Sequence, residues 1–129
     1  MIKKVDHIGL AVGNLDNVID IFNKLFNLEP RTIDQDAIYR VAFLGVGDVD
    51  IEPIQPLDEK ISMAHSIERQ GNSIHHICFE VDDVDKELQR LAAMGVELID
   101  KKGRPSFCGK VAFINPGSTD GILIELVEK

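Results

Sequence analysis

The sequence has no tryptophan, only two cysteines and no long apolar run. A membrane-spanning helix needs about 20 predominantly apolar residues, so the lack of such a run excludes a protein anchored by transmembrane helices. The first residues, MIKKVDH, lack the apolar segment of a signal peptide. Cys78 and Cys108 are too few for a disulfide framework and suit a reducing compartment. We therefore expect a soluble, cytoplasmic protein whose two cysteines are thiols.

Positive charge is also scarce. The chain has 14 lysines and arginines against 22 aspartates and glutamates, which gives a formal net charge of -8 at pH 7. Nucleic acids and anionic membranes are bound by basic surfaces, so this balance argues against both as partners. A small phosphorylated molecule that is held by a local group of cations remains compatible with the charge.

The most informative feature is an internal repeat. Residues 5–22 align with residues 74–91, and the alignment places His7 on His76. Further along each repeat an Ile-Glu dipeptide also matches. The two glutamates are Glu52 and Glu125. Each repeat therefore supplies one histidine and one glutamate at equivalent places, and two such halves can build one metal site with four ligands.

The length of the chain suggests how the repeats are combined. A chain of 129 residues has the size of one domain. A repeat of about 60 residues is marginally stable alone, so we expect the two repeats to share one core. We predict a single domain with module one at about residues 1–57, a linker helix at about 58–71 and module two at about 72–129.

Hydrophobic periodicity follows the same order in both repeats: a strand, a helix and three further strands. Asn14 and the acidic run that contains Asp83 are predicted to cap the two helices at their amino ends. The fold class is therefore α+β, with two βαβββ modules. The predicted elements are a strand at 5–12, a helix at 15–26, strands at 29–34, 38–45 and 48–55, a linker helix at 61–70, a strand at 73–81, a helix from 84 to a stop at Gly95, and strands at 96–100, 110–115 and 121–127.

The phase of the strands predicts where the polar side chains point. His7 alternates with the apolar residues of its strand, and His76 does so in the second repeat, whereas His75 shares the apolar face. Glu52 and Glu125 also leave the apolar face. We predict that the two histidines and two glutamates line one concave surface. Imidazole nitrogen and carboxylate oxygen together suit Zn, Fe, Co, Ni or Mn.

The chain resembles the vicinal oxygen chelate superfamily, which includes glyoxalases, bleomycin resistance proteins and dioxygenases, and within it the methylmalonyl-CoA epimerase family. The segments that carry the resemblance are VDHIGLAV, IEPIQPL, QPLDEKISMAHSIERQGNSIHHI, SIHHICFEVDDVDKELQRLAAMGVELID and GKVAFINPGSTDGILIEL. The resemblance implies two βαβββ modules that form a curved mixed sheet around a divalent ion (Co, Ni, Mn or Zn), and it implies a homodimer. The implied metal ligands are His7, Glu52, His76 and Glu125.

The resemblance also implies an activity, the interconversion of (R)- and (S)-methylmalonyl-CoA by 1,1-proton transfer through an enolate. A metal ion would stabilise the developing negative charge, and two acid-base groups would act on opposite faces of the reacting carbon. Glu125 matches a carboxylate with such a role. The family's other catalytic glutamate, expected on the strand at 38–45, is absent, and Arg40 lies near that place. We predict that Glu52 serves instead.

The substrate-binding residues are predicted from charge and from the resemblance. An acyl-CoA thioester carries phosphates, which would need cations. The candidate cations are Lys101, Lys102, Arg104 and Lys110, and a further candidate substrate-binding residue is Ser106, in the loop that the resemblance places near the substrate carboxylate. The sequence departs from many relatives at Asn115, where they have histidine, and in the loop at 106–109.

Two other functions fit the same sequence. Glyoxalase I (lactoylglutathione lyase) has the same kind of ligand set and proton-transfer chemistry, but its substrate is a glutathione hemithioacetal. A small-molecule binding module of this superfamily needs no metal and performs no reaction. The linker and the last segment favour the epimerase over the glyoxalase, and the four retained ligand positions argue against the binding module.

Overall fold

The computed structural model describes residues 1–129 and contains two copies of a strand-helix-three-strand unit, which confirms the predicted α+β fold. The elements are β1 (Ile2–Ala11), α1 (Leu15–Phe26), β2 (Pro30–Gln35), β3 (Tyr39–Val46), β4 (Val49–Pro56), α2 (Ser62–Gln70), β5 (Ser73–Val81), α3 (Val84–Ala93), β6 (Arg104–Ser106), β7 (Gly109–Ile114) and β8 (Ile124–Glu128). The linker helix lies at its predicted position. None of the helices has the length and apolar character that crossing a membrane requires.

The chain divides into two compact units. The N-terminal unit is His7–His75, and the C-terminal unit is Met1–Asp6 with His76–Lys129. In the N-terminal unit the strand order is β2-β3-β4-β1, with β1 parallel to β4 and the other pairs antiparallel. The first residues of β1, up to Asp6, belong to the C-terminal unit. The strand order in that unit is β1-β5-β8-β7-β6, with β5 parallel to β8 and antiparallel pairs from β8 to β6. The sheet is therefore mixed, as predicted.

In the N-terminal unit, α1 packs on one face of the strands. The side chain of Asn14 accepts a hydrogen bond from the Asn17 amide at 3.1 Å, which confirms the predicted cap. Gln55, at the end of β4, accepts a second one from the amide of Leu15 at 2.8 Å. The residue after the helix, Asn27, caps its carboxyl end and has a left-handed φ of 57°. The buried residues of this core are Val12, Leu15, Ala42 and Leu44.

The C-terminal unit repeats this arrangement around α3. Asp83 caps the helix by accepting from the Lys86 amide at 3.0 Å, as predicted, and Glu128 at the end of β8 accepts from the Val84 amide at 3.0 Å. Glu128 is thus the counterpart of Gln55. The buried residues of this core are Val81, Val84, Leu88, Ala112, Ile114 and Leu126. Both cysteines are thiols, with Cys78 buried and Cys108 half-buried.

One predicted strand is wrong. Residues 96–100 form no ladder, since Leu98 makes only an isolated bridge with Ile114. The amides of Ile99 and Asp100 both donate to the carbonyl of Phe113, at 3.1 and 3.2 Å, and two donors on one acceptor interrupt the alternation that an antiparallel pair requires. The second strand of this module is instead β6 at Arg104–Ser106, and β8 begins three residues later than its predicted start.

Candidate functional site

The N-terminal unit contains one of the predicted histidine-glutamate pairs. In the parallel pairing of β1 with β4, His7 lies opposite Asp50, and Glu52 lies two residues further along β4. Residues two apart on a strand share a face, so His7 and Glu52 point to the same side of the sheet. The Nε2 atom of His7 lies 3.0 Å from Oε1 of Glu52. Both residues are buried, with 0% and 5% of their surface exposed.

The C-terminal unit contains the second pair in the same register. Ile77 lies opposite Ile124, just as Ile8 lies opposite Ile51 in the other unit. Consequently His76 and Glu125 share a face, and Nε2 of His76 lies 3.1 Å from Oε1 of Glu125. His76 is 4% exposed, whereas the neighbouring His75 is half-buried and lies on the alternate face. The structure therefore places His76, and not His75, against a glutamate.

The chemistry of these pairs fits a metal site. Burying a carboxylate is costly unless a cation or several hydrogen bonds compensate for the lost water, and each glutamate here lies within 3.1 Å of an imidazole nitrogen. Each unit thus offers one imidazole nitrogen and one carboxylate oxygen in a place from which solvent is excluded. This donor set suits a divalent ion of intermediate hardness.

A phenylalanine lies next to each glutamate, and neither was among the residues predicted from the sequence. Phe113 on β7 is the strand partner of Glu125. Phe43 on β3 lies opposite Glu52, because the antiparallel register pairs residue 44 with 51 and residue 41 with 54. An arginine guanidinium lies 5.8 Å from the ring centroid of each, Arg31 over Phe43 and Arg104 over Phe113. The sequence does contain a pattern that indicates both phenylalanines, a Val-Ala-Phe tripeptide that occurs at residues 41–43 and again at residues 111–113.

The five predicted substrate-binding residues all belong to the C-terminal unit. Lys101, Lys102 and Ser106 are exposed, and Lys101 lines a groove of about 470 Å³ beside α3. Arg104 is exposed too, and its Nε atom lies 3.2 Å from Oδ1 of Asp100. Lys110 is half-buried and donates to Asp85. Of the four cations, Lys110 is therefore the one that a carboxylate of α3 holds.

The Lys110 contact is part of the repeat. Asp85, in the first turn of α3, accepts hydrogen bonds from the Gly103 amide at 2.8 Å and from Lys110. In the N-terminal unit, Asp16 in the first turn of α1 accepts from Arg40 at 3.0 Å. Arg40 and Lys110 both lie on the third strand of their module. Each unit thus joins its helix to its third strand through one ion pair.

The pair between Asp85 and Lys110 changes the pKa of both groups. The Gly103 amide, and then Lys110, lower the pKa of Asp85, because both stabilise its ionised form. The hydrogen bond to Asp85 raises the pKa of Lys110 for the same reason. The lowered pKa of Asp85 stabilises the folded protein at pH values above about 3.9, the pKa of an aspartate in the unfolded chain. This stabilisation is lost as the pH falls through the pKa of Asp85 in the folded protein. The raised pKa of Lys110 stabilises the folded protein at pH values below about 10.4, the pKa of a lysine in the unfolded chain. This stabilisation is lost as the pH rises through the pKa of Lys110 in the folded protein.

Replacing Asp85 by asparagine should lower the melting temperature at neutral pH, because Lys110 loses the nearer of two ionised partners and keeps Glu128 at 3.9 Å. The difference from the wild type should shrink as pH falls through the folded pKa of Asp85 and disappear in strong acid. Thermal melts at several pH values measure it. Asp20→Asn is the matched control, since Asp20 is exposed and pairs with Lys24 only across one turn of α1. A difference that persists unchanged in strong acid would contradict the ion pair as its cause.

Comparison with known proteins identifies the family. A sequence profile of the Glyoxalase/Bleomycin resistance protein/Dioxygenase superfamily matches residues 6–113. The chain belongs to this superfamily. It is 32% identical to the mitochondrial methylmalonyl-CoA epimerase of Dictyostelium discoideum, over 99% of this chain and 80% of that protein. It is 30% identical to the ethylmalonyl-CoA/methylmalonyl-CoA epimerase of Cereibacter sphaeroides, over 98% of both chains.

Solved structures of the superfamily agree with these relatives. The crystal structure of methylmalonyl-CoA epimerase from Mycobacterium tuberculosis superposes with a TM-score of 0.92 at 30% identity, over 98% of this chain and 88% of that one. The methylmalonyl-CoA epimerase family that the sequence resembles is therefore confirmed, together with its βαβββ fold. The expected class of enzyme, an isomerase of the epimerase type, is confirmed at the level of the family.

Proposed function

We propose that this chain is a metal-dependent epimerase that interconverts the (R) and (S) forms of methylmalonyl-CoA. The observation that carries the proposal is the buried histidine-glutamate pair, which occurs once in each unit at the same strand register. The relatives named as epimerases of this substrate match nearly the whole chain, and this supports the choice of substrate.

The proposed metal ligands are His7, Glu52, His76 and Glu125. They would hold one divalent ion, with cobalt, nickel, manganese or zinc as the candidates. When bound, such an ion supplies positive charge beside the thioester oxygen, where negative charge develops as the α-proton leaves. The support for this assignment is the donor set itself, together with the burial of all four side chains.

Glu52 and Glu125 are the proposed acid-base pair. One carboxylate takes the proton from the carbon between the thioester and the free carboxylate, and the other, as a carboxylic acid, returns a proton to the opposite face. Each carboxylate is buried and lies within 3.1 Å of a histidine nitrogen, which restricts the direction in which it points. The roles of the two glutamates exchange when the reaction runs from the other epimer.

The CoA part of the substrate is proposed to contact the C-terminal unit. Lys101 and Lys102 are exposed, whereas Lys110 is half-buried and is held by Asp85, so the two exposed lysines are the better candidates for its phosphates. Arg104 is exposed, although Asp100 binds its Nε atom.

The single-domain organisation and the homodimer that the sequence suggests stay predictions, and the molecular mass of the particle in solution would test the homodimer.

The proposal is tested by proton exchange in heavy water. The metal-loaded protein should exchange the α-proton of methylmalonyl-CoA for deuterium and convert one epimer into the other, and the metal-free protein should do neither. The exchange is followed by nuclear magnetic resonance. A parallel assay with methylglyoxal and glutathione tests the glyoxalase alternative. Formation of lactoylglutathione without exchange would replace the epimerase by the lyase, and activity in neither assay would favour a binding module.

A further inference from the structure

Three residues beside the His76–Glu125 pair hold one another in place. Asp100 accepts a hydrogen bond from the backbone amide of Phe113 through Oδ2 at 2.8 Å and one from Arg104 Nε through Oδ1 at 3.2 Å. The guanidinium of Arg104 in turn lies 5.8 Å from the ring centroid of Phe113. One carboxylate thus fixes both the backbone that carries the ring and the cation over the ring. We refer to Asp100, Arg104 and Phe113 as the Asp100 clamp.

The ring that the clamp holds contacts the imidazole of His76. Phe113 and His76 meet edge to face, with ring centroids 5.4 Å apart and an interplanar angle of 84°. Phe113 is also the strand partner of Glu125. Its position is therefore tied to both members of the pair.

We infer that Phe113 is a positioning residue for His76 and that Asp100 and Arg104 maintain its orientation. This inference rests on the proposed function, because it treats His76 as a metal ligand. The outer torsion of a histidine side chain has broad, soft minima, so an imidazole without neighbours samples many directions. A ligand must direct one nitrogen at the ion, and groups that orient a metal-bound imidazole raise metal affinity. The edge-to-face contact restricts this torsion of His76.

The N-terminal unit offers a related arrangement, which supports the inference. Arg31 lies over Phe43 and forms a two-pronged ion pair with Asp50, at 2.8 and 2.9 Å. Phe43 lies opposite Glu52, as Phe113 lies opposite Glu125. An arginine held by an aspartate therefore covers a phenylalanine beside the glutamate in both units. The aspartate comes from β4 in one unit and from the segment before β6 in the other.

The test compares two phenylalanine-to-leucine variants on opposite faces of the C-terminal strands. Phe113→Leu removes the ring that contacts His76. Phe79→Leu is the matched control, because Phe79 is also half-buried but packs on the α3 side, against the core of this unit. The dissociation constant for Co²⁺ is measured by competition with a chromophoric chelator, and the Co²⁺ absorption spectrum reports the ligand geometry.

We expect Phe113→Leu to weaken Co²⁺ binding about tenfold and to change the Co²⁺ spectrum. Loss of a hydrogen-bonded group that orients a ligand typically costs about 10- to 100-fold in affinity, and a ring contact belongs at the lower end because it is weaker. Phe79→Leu should leave both unchanged, and Phe113→Tyr, which keeps the ring, should restore both. Arg104→Gln, at an exposed position, should weaken binding by less than Phe113→Leu does, and it tests the clamp even where Phe113→Leu does not fold.

Three results would overturn the inference. Wild-type affinity and spectrum in both Phe113→Leu and Arg104→Gln would remove Phe113 as a positioning residue while the metal site itself stands. An equal loss in Phe79→Leu would mean that the effect comes from general destabilisation. Absence of tight Co²⁺ binding in the wild-type protein would remove the proposed metal site together with the inference.

Discussion

Replacing either histidine by alanine is expected to abolish tight metal binding by the whole chain. The wild-type protein should bind one divalent ion per chain, and His7→Ala and His76→Ala should each bind none under the same conditions. The reason is that each histidine-glutamate pair offers one imidazole and one carboxylate, whereas protein sites for such ions generally use three or four side chains. Loss of one donor is therefore expected to weaken binding at the proposed four-ligand site.

Equilibrium dialysis with metal analysis measures the number of ions bound. A second measurement is the rise in melting temperature on adding metal, because an ion that binds only the folded state stabilises it by about 2.7 kcal/mol at a concentration of 100 times the dissociation constant. The histidine variants should lose this stabilisation. His65→Ala is the control, since His65 is exposed on α2. Two ions in the wild type and one in each variant would show separate sites and contradict a shared one.

Replacing Glu52 by glutamine is expected to stop epimerisation while the protein still binds metal. Glutamine keeps the shape of the side chain and an oxygen that can act as a ligand, but it cannot accept the α-proton. General acid-base groups contribute about 10²- to 10⁴-fold to a rate, so turnover should fall by at least two orders of magnitude. The other glutamate, Glu125, would still be able to exchange the proton of the epimer that presents its hydrogen to that side.

The diagnostic result is therefore asymmetric deuterium exchange. In Glu52→Gln, one epimer of methylmalonyl-CoA should exchange its α-proton with heavy water and the other should not, and no interconversion should occur. Glu80→Gln is the control, because Glu80 lies on β5, the strand that carries His76, but pairs with Lys3 at 3.6 Å rather than with a histidine. Unchanged turnover in Glu52→Gln would remove Glu52 as a catalytic base and would require another group on that face.

Strand phase explains why much of the site could be predicted from the sequence. Alternation along a strand is a local property, so the pattern of residues alone distinguishes His76 from His75 and directs both glutamates away from the helices. The helix caps at Asn14 and Asp83 are local for the same reason. The structure agrees with each of these predictions about position. The role of the four side chains as metal ligands stays a prediction.

The features that the sequence did not predict depend on contacts between distant residues. Gln55 and Glu128 accept hydrogen bonds from the first amides of α1 and α3 only because the ends of β4 and β8 lie beside those helices. Similarly, nothing in the sequence indicates that Ile99 and Asp100 share one carbonyl acceptor, which prevents the strand predicted at 96–100. Such contacts are set by tertiary packing rather than by periodicity.

Arg40 illustrates how a departure from a family pattern can have a structural cause. It occupies a strand where the resemblance suggested a glutamate, and the structure pairs it with Asp16 at 3.0 Å. Lys110 forms the equivalent pair with Asp85 in the other unit. Arg40 is therefore accounted for by the connection between helix and strand, and the second base has to be sought elsewhere, with Glu52 as the proposed group.

The different origins of Asp50 and Asp100 have a consequence for protein engineering. Both aspartates hold an arginine over a phenylalanine, but Asp50 lies on β4, whose register positions Glu52, whereas Asp100 lies in an irregular segment outside every strand. The surroundings of His76 can therefore be redesigned by exchanging that segment, with β5 and β8 left as they are. The same change around His7 would disturb the strand that carries a proposed ligand. A library that aims to change the metal preference of the proposed site should vary the segment around Asp100 first.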